Sequence, residues 1–162
     1  DENKIVFKSN FKTTNYKDGY ELETFSISFK NVTNNDVDFV LSWGRVYLTI
    51  PISVPTRELV AAQIESLMGG EPKASDYYAA AVYYKEENMM LDQALVWINK
   101  AMEMTENPRF FQLRQQSLIL AANGKYRQAI KVAKKSLELS IQADNQDYVK
   151  MNNDSIKEWS NK

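Results

Sequence analysis

The 162-residue chain contains no cysteine and no histidine. Without cysteine it has no disulfide, no thiolate nucleophile and no cysteine-bound zinc or iron–sulfur site. Without histidine it has neither a Ser-His-Asp triad nor an imidazole ligand for a metal. The side chains left for catalysis are those of aspartate, glutamate, lysine, tyrosine, serine and threonine.

The chain also lacks an excess of charge of either sign, with 20 basic and 21 acidic residues and a net charge of −1. It therefore has no electrostatic basis for binding nucleic acid. No apolar run approaches the roughly 18 residues that a membrane-spanning helix needs, so we predict no membrane span. Since 44% of the residues are hydrophobic and 25% are charged, the composition is that of an ordinary globular protein.

Residues 1–54 show the alternation of apolar and polar side chains that is typical of half-buried β-strands. The alternating apolar positions are Phe25, Ile27, Phe29, Val37, Phe39, Leu41, Trp43, Val46, Leu48, Ile50 and Ile52. Short polar side chains at 34–36 predict a turn, and 44–45 predicts a tight turn or a bulge. With a further strand near Ile5–Phe11, we predict three or four antiparallel strands. Their aromatic face is expected to pack against another surface.

From Pro55 onwards the apolar positions recur with a period of 3.6 residues, which predicts amphipathic helices over 55–162. The segments that interrupt this pattern are 68–72, 88–90, 107–108 and 123–124. Ser75 is a candidate N-cap for the second helix. The last helix is predicted over about 146–160.

These helices form an internal repeat. Leu91–Leu95 matches Tyr126–Ile130, which lies 35 positions later, and the preceding connections align Asn88 with Asn123. A period of 34–35 residues that contains two helices is the tetratricopeptide arrangement. Because one pair of helices cannot bury its apolar face alone, neighbouring pairs stack, and the last helix is expected to cap the stack.

Small and bulky residues fall where such stacking needs them. Ala94 and Ala129 allow the second helix of each pair to cross closely over the first, and Tyr84 and Leu120 fill the space between the helices. We therefore predict an α+β protein, with a small antiparallel β-sheet over 1–54 followed by a tetratricopeptide-like array of α-hairpins and a capping helix.

The first helix of each pair lines the concave wall of such an array. The consensus positions there are Tyr77, Tyr84 and Lys85 in one repeat and Arg114 and Leu118 in the next. These residues are candidates for a shallow groove that binds an extended peptide or a helix of a partner. Alternatively, they pack against the strands or against the first helix. The paired Asn and Lys of tetratricopeptide proteins that clamp a terminal carboxylate are not evident.

Two further features each allow two interpretations. Tyr78 and Tyr83 form an exposed binding surface or pack between helices, since tyrosine is favoured both at interfaces and in cores. A basic stripe on the fifth helix contacts an acidic partner or is simply solvated. Its residues are Arg127, Lys131, Lys134 and Lys135.

Carboxylates are the remaining candidates for catalysis, since a suitably spaced pair can hydrolyse glycosides. Those nearest the junction between strands and helices are Glu65, Glu71, Asp76, Glu86 and Glu87. No spacing selects a pair among them. We therefore predict that the chain is not an enzyme and binds no cofactor.

Several segments, in the same order, carry a resemblance to a known family. They are Phe39–Gly44, Val46–Ile52, Asp76–Ala81, Leu91–Ala101 and Asp147–Asn152. Across them the chain resembles the C-terminal part of a bacterial family catalogued as a domain of unknown function (number twenty-nine eleven). The resemblance implies an exported protein of the periplasm or cell envelope, with a β-rich part before a tetratricopeptide-like tail. It brings no assigned activity, catalytic residue or cofactor.

The leading hypothesis is a non-catalytic module that binds a protein or peptide partner or acts as a scaffold. The chain begins at Asp1, shows no signal peptide, and lacks the β-rich segment that precedes this region in the family, so we expect it to be a fragment. One alternative is therefore an accessory domain that stabilises an upstream, functional β-rich domain. A carboxylate-dependent hydrolase is the other. The oligomeric state stays open, although strand addition at a sheet edge can produce a dimer.

Overall fold

The structure, a computed structural model, describes residues 8–162. The chain divides into two compact units, 1–61 and 62–162. The division falls within the first helix, whereas the sequence places it just before that helix. Four antiparallel strands followed by helices confirm the predicted α+β class.

The first unit contains a four-stranded antiparallel sheet with the strand order β1-β4-β3-β2. Its strands are β1 (Thr14–Asn15), β2 (Leu22–Lys30), β3 (Asp36–Gly44) and β4 (Val46–Ser53). The strand predicted near 5–11 lies partly outside the described residues. Its described part is irregular, and the short β1 follows in a segment that the sequence predicts as loop.

Two tight turns fix the register of the sheet. Between β2 and β3, the Thr33 hydroxyl oxygen accepts hydrogen bonds from the backbone N–H of Asn35 (3.2 Å) and of Asp36 (2.9 Å). Between β3 and β4, Gly44 adopts a φ of 56°, which glycine tolerates without strain. Both predicted turns are therefore present. In the resulting register, Phe39 lies between Phe29 on β2 and Ile50 on β4.

Most apolar side chains of the three long strands lie on one side of the sheet. This apolar sheet face consists of Phe25, Ile27, Phe29, Val37, Phe39, Leu41, Trp43, Val46, Leu48, Ile50 and Ile52. Several of its side chains are exposed, with Phe29 at 62% and Trp43 at 65%. The buried positions Val40 and Ser42 lie on the opposite face, where the Tyr16 hydroxyl donates to Ser42 Oγ at 3.0 Å.

Helices follow the sheet, as the 3.6-residue period predicts. They are α1 (Thr56–Met68), α2 (Ala74–Glu86), α3 (Leu91–Glu103), α4 (Phe110–Ala122), α5 (Tyr126–Gln142) and α6 (Gln146–Trp159). In the second unit, α2 pairs with α3 and α4 with α5, while α4 also contacts α2 and α6. Helices α2, α4 and α6 therefore form one layer, and α3 and α5 form the other.

The two hairpins repeat the same capping chemistry. The N-cap of α2 is Lys73 rather than Ser75, and its backbone N–H donates to the Asp76 carboxylate at 2.9 Å. The backbone N–H of Arg109 donates to Gln112 Oε1 at the same distance. These residues are 36 positions apart, not 35, because Met90 is an extra residue in the connection between α2 and α3, with a φ of 37°.

The second helices keep the 35-residue offset. Ala94 and Ala129 are both fully buried, as the close crossing of helices requires. In the first hairpin, Tyr84 is 2% exposed and packs against Trp97, with ring centroids 5.0 Å apart. In the second, Leu120 and Ala129 belong to a core cluster that also includes the buried Trp159 of α6. Helix α6 therefore closes the stack, as predicted for a capping helix.

Candidate functional site

Arg114 occupies the middle of α4, in the layer that α2, α4 and α6 form. Its side chain is half-buried. The guanidinium Nη1 donates hydrogen bonds to Asn152 Oδ1 at 3.2 Å and to Ser155 Oγ at 3.5 Å, both on α6. These bonds join α4 to the capping helix and fix the position of the guanidinium.

A buried polar network holds Asn152 in place behind Arg114. Asn152 is fully buried, and its Nδ2 donates to Ser136 Oγ at 2.9 Å and Ser140 Oγ at 3.5 Å on α5. Ser136 Oγ in turn donates to the backbone carbonyl of Phe110 at 2.7 Å. Because the amide nitrogen is engaged by α5, the amide oxygen is directed at Arg114. The network therefore orients the guanidinium from three helices.

The positive charge of Arg114 has no counter-ion among residues 8–162. Its two acceptors are neutral, no carboxylate oxygen of the described residues lies within 4.0 Å, and its Nη2 and Nε donate no hydrogen bond there. Burial lowers the pKa of Arg114, and Tyr148 opposes that shift. An arginine stays protonated at neutral pH in any case. The site therefore holds a half-buried, uncompensated cation.

Two tyrosines lie on the helices that contact α4, Tyr78 on α2 and Tyr148 on α6. Tyr148 on α6 packs edge-on against Phe110, with ring centroids 4.8 Å apart. Burial raises the pKa of Tyr78 on α2, with further contributions from Tyr148 and Glu86. Tyr148 therefore lies within electrostatic range of both Tyr78 and Arg114. In the described part of the chain, neither tyrosine hydroxyl makes a hydrogen bond to another side chain or backbone group.

These groups together constitute the Arg114 site, defined as Tyr78, Arg114, Tyr148, Asn152 and Ser155. It presents the free side of a guanidinium and two phenolic hydroxyls, all of which can donate hydrogen bonds. Chemically, this arrangement suits an anion with several acceptor oxygens.

Three of the five predicted groove residues lie on the face that carries this site. Arg114 is its centre. Leu118 follows one turn later on α4, is half-buried and packs against the core cluster. Lys85 is half-buried two turns after Tyr78 on α2 and therefore shares its side of the helix.

The other two predicted groove residues lie elsewhere. Tyr84 is buried against Trp97 and is not accessible to a partner. Tyr77 is half-buried and lines a depression with Trp97 and Lys100 on the α3 side of the hairpin. The residue of α2 that corresponds to Arg114 is Tyr78, 36 positions earlier, so Tyr78 takes their place in the candidate site.

The sequence pattern did not indicate Tyr148, Asn152 and Ser155 as site residues. All three lie on the capping helix, which has no equivalent helix in the repeat, so the repeat offset assigns none of its positions. Asn152 is nevertheless a polar residue in the apolar stripe of α6, a pattern that indicates a buried polar contact. The basic stripe on α5 is exposed throughout, and Tyr83 is half-buried beside Tyr84.

Comparison of the chain with protein families, with curated proteins and with solved structures finds no match. Resemblance to the bacterial family therefore stays a prediction. None of the helices within residues 8–162 is both long and apolar enough to cross a membrane.

Proposed function

We propose that the helical unit is a non-catalytic binding module for an extended segment of a partner protein. In this proposal, an aspartate or glutamate of the partner places its carboxylate against Arg114. The observation that carries it is the half-buried guanidinium, which has two neutral acceptors and no carboxylate within 4.0 Å among the described residues.

A carboxylate fits this site for geometric and electrostatic reasons. The planar guanidinium can bind two carboxylate oxygens at once through parallel N–H groups. Because Nη1 is already held by Asn152, the fork is oriented before the ligand arrives, which lowers the entropy lost on binding. The hydroxyls of Tyr78 and Tyr148 supply further donors.

An extended protein segment fits better than a small molecule because the face continues beyond Arg114. Leu118 lies one turn along α4, and Val82 lies one turn along α2 from Tyr78; both are half-buried. Lys85 adds a second positive charge. An acidic residue beside an apolar one would therefore match this face. The family resemblance supports placing such a module in an exported protein of the bacterial periplasm or envelope.

Two peptide pools test the proposal. Both are N-acetylated and C-amidated and differ only in a central Glu or Gln between apolar residues. We expect the Glu pool to bind the protein in fluorescence anisotropy and the Gln pool to bind about 10- to 150-fold more weakly, as loss of a charged hydrogen bond of about 1.5–3 kcal/mol implies.

Arg114→Gln should remove the difference between the pools. Arg127→Gln, at an exposed position of α5, is the matched control and should preserve it. Equal binding of both pools to the unsubstituted protein, or binding of neither, would contradict the proposal.

A further inference from the structure

The apolar sheet face carries several exposed large apolar side chains. Ile27, Phe29 and Trp43 are 58%, 62% and 65% exposed, respectively. These are the side chains that the strand alternation predicts to be inside. A large apolar face that is exposed to water in a single chain is typical of a surface that binds a partner.

The size of the face approaches one side of a stable protein interface. If a large apolar side chain has about 150–250 Å² of surface, the six side chains of this face that are most exposed together offer roughly 500–800 Å². A standard interface buries about 800 Å² from each partner. The face therefore supplies most of the area that one partner of a stable dimer buries.

The chemistry of the face is complementary to itself. None of its residues carries a charge, so two copies can meet without like-charge repulsion or a buried unpaired ion. Across the strands, Phe29, Phe39 and Ile50 form one row of neighbours, and Ile27, Leu41 and Leu48 form the next. Such rows interdigitate when two sheets pack about 10 Å apart.

We propose that this face packs against the same face of a second copy of the chain, forming a two-layer β-sandwich about a twofold axis. An isologous contact of this kind closes on itself and leaves no apolar patch for further association. Strand addition at the open edge of β2 would also make a dimer, but it would leave the apolar face in water. Face-to-face packing is therefore the arrangement that the exposed side chains favour.

Sedimentation velocity of the 162-residue chain from about 1 to 100 µM tests this proposal. We expect a dimer. Phe29→Lys should raise the dimer dissociation constant at least about 30-fold, the size of an interface hot spot. Val32→Lys is the matched control, because Val32 is 70% exposed in the β2–β3 turn and lies outside the face. It should leave the dissociation constant unchanged.

A second measurement does not depend on a destabilising charge. Since the chain has no cysteine, Ile27→Cys and Val32→Cys each introduce a single thiol. A short bis-maleimide should cross-link two copies through position 27 but not through position 32. Cross-linking at 27 in a dimer that Phe29→Lys disrupts supports the proposal.

Three outcomes would overturn it. The first is a monomer over the whole concentration range. The second is a dimer that persists in Phe29→Lys. The third is a longer form of the protein that sediments as a monomer because another of its segments covers the face, which would favour the accessory-domain alternative.

Discussion

Arg114 Nη1 donates a hydrogen bond to Asn152 Oδ1 across 3.2 Å and thereby connects the second helical hairpin to the capping helix. Asn152 is fully buried, while Arg114 is half-buried. The pair thus links a structural network inside the unit to a cation on its surface. The two residues have separable roles, which substitutions can distinguish.

Asn152→Ala should lower the free energy of unfolding by about 2–4 kcal/mol. The change leaves a cavity and removes partners from Ser136, Ser140 and Arg114 at once. Urea denaturation measures the loss. Asn153→Ala, at the exposed neighbouring position, should change stability by less than about 0.5 kcal/mol. A loss below 1 kcal/mol for Asn152→Ala would contradict the role given to this network.

Arg114→Gln should change the free energy of unfolding by less than about 1 kcal/mol, even though it removes binding of the acidic peptide. The glutamine amide can donate to Asn152 Oδ1, and the substitution removes an uncompensated half-buried charge. Urea denaturation of this variant beside the unsubstituted protein checks the expectation. A large loss of stability would indicate that Arg114 is retained for folding rather than for binding.

Gly124→Ala should destabilise the unit by about 1 kcal/mol, because Gly124 ends α4 with a φ of 70°. An added Cβ would meet nothing within 4 Å, so the effect isolates the backbone conformation. Gly70→Ala is the control, since φ there is not positive and its new Cβ would make only ordinary contacts. Thermal unfolding of both variants compares them. Equal melting temperatures would show that the left-handed cap contributes nothing.

Asn88→Gly should stabilise the first hairpin by about 0.5–1 kcal/mol. Asn88 has the left-handed conformation at the position that Gly124 occupies in the second hairpin, with a φ of 51°. Glycine adopts this conformation without the penalty that a Cβ brings. A decrease in stability would show that the asparagine side chain has a role of its own.

Tyr78 should make the protein less stable above about pH 10. Its pKa is raised above the usual 10.0, first by burial, so the folded state holds the phenolic proton more tightly than the unfolded chain does. The unfolded state therefore binds fewer protons as the pH rises, and stability decreases. Unfolding free energies measured between pH 9 and 11 should decrease less in Tyr78→Phe. An identical decrease in both proteins would indicate that the Tyr78 hydroxyl is exposed to solvent and does not contribute to the pH dependence of stability.

Periodicity predicted most of the fold because it reports directly which side chains share a face. The alternation through Phe29 and Phe39 predicted the strands, and the match of Ala94 with Ala129 predicted the paired helices. Periodicity could not predict what covers the apolar sheet face. The alternation of apolar and polar residues is the same whether the covering surface belongs to the same chain or to another one.

The candidate site was predicted only in part, for two physical reasons. Met90 lengthens the first connection by one residue, so an offset of 35 does not apply to the first helices, and the offset of 36 places Tyr78 opposite Arg114. The remaining residues of the site lie on α6, which follows the last repeat, so no residue of an earlier helix corresponds to them. A side-chain network such as that of Asn152 depends on three-dimensional contacts that no single helix pattern contains.

NMR of the Arg114 Nε–Hε group reports whether a carboxylate binds to this side chain. The resonance is assigned by its absence in Arg114→Lys, and the protein is titrated separately with a Glu-containing peptide from the acidic pool and with its Gln counterpart. We expect a saturable shift of the Arg114 resonance with the Glu peptide, an unchanged Arg127 resonance, and little effect of the Gln peptide. An Arg114 resonance that stays in place, or that moves equally with both peptides, would contradict it.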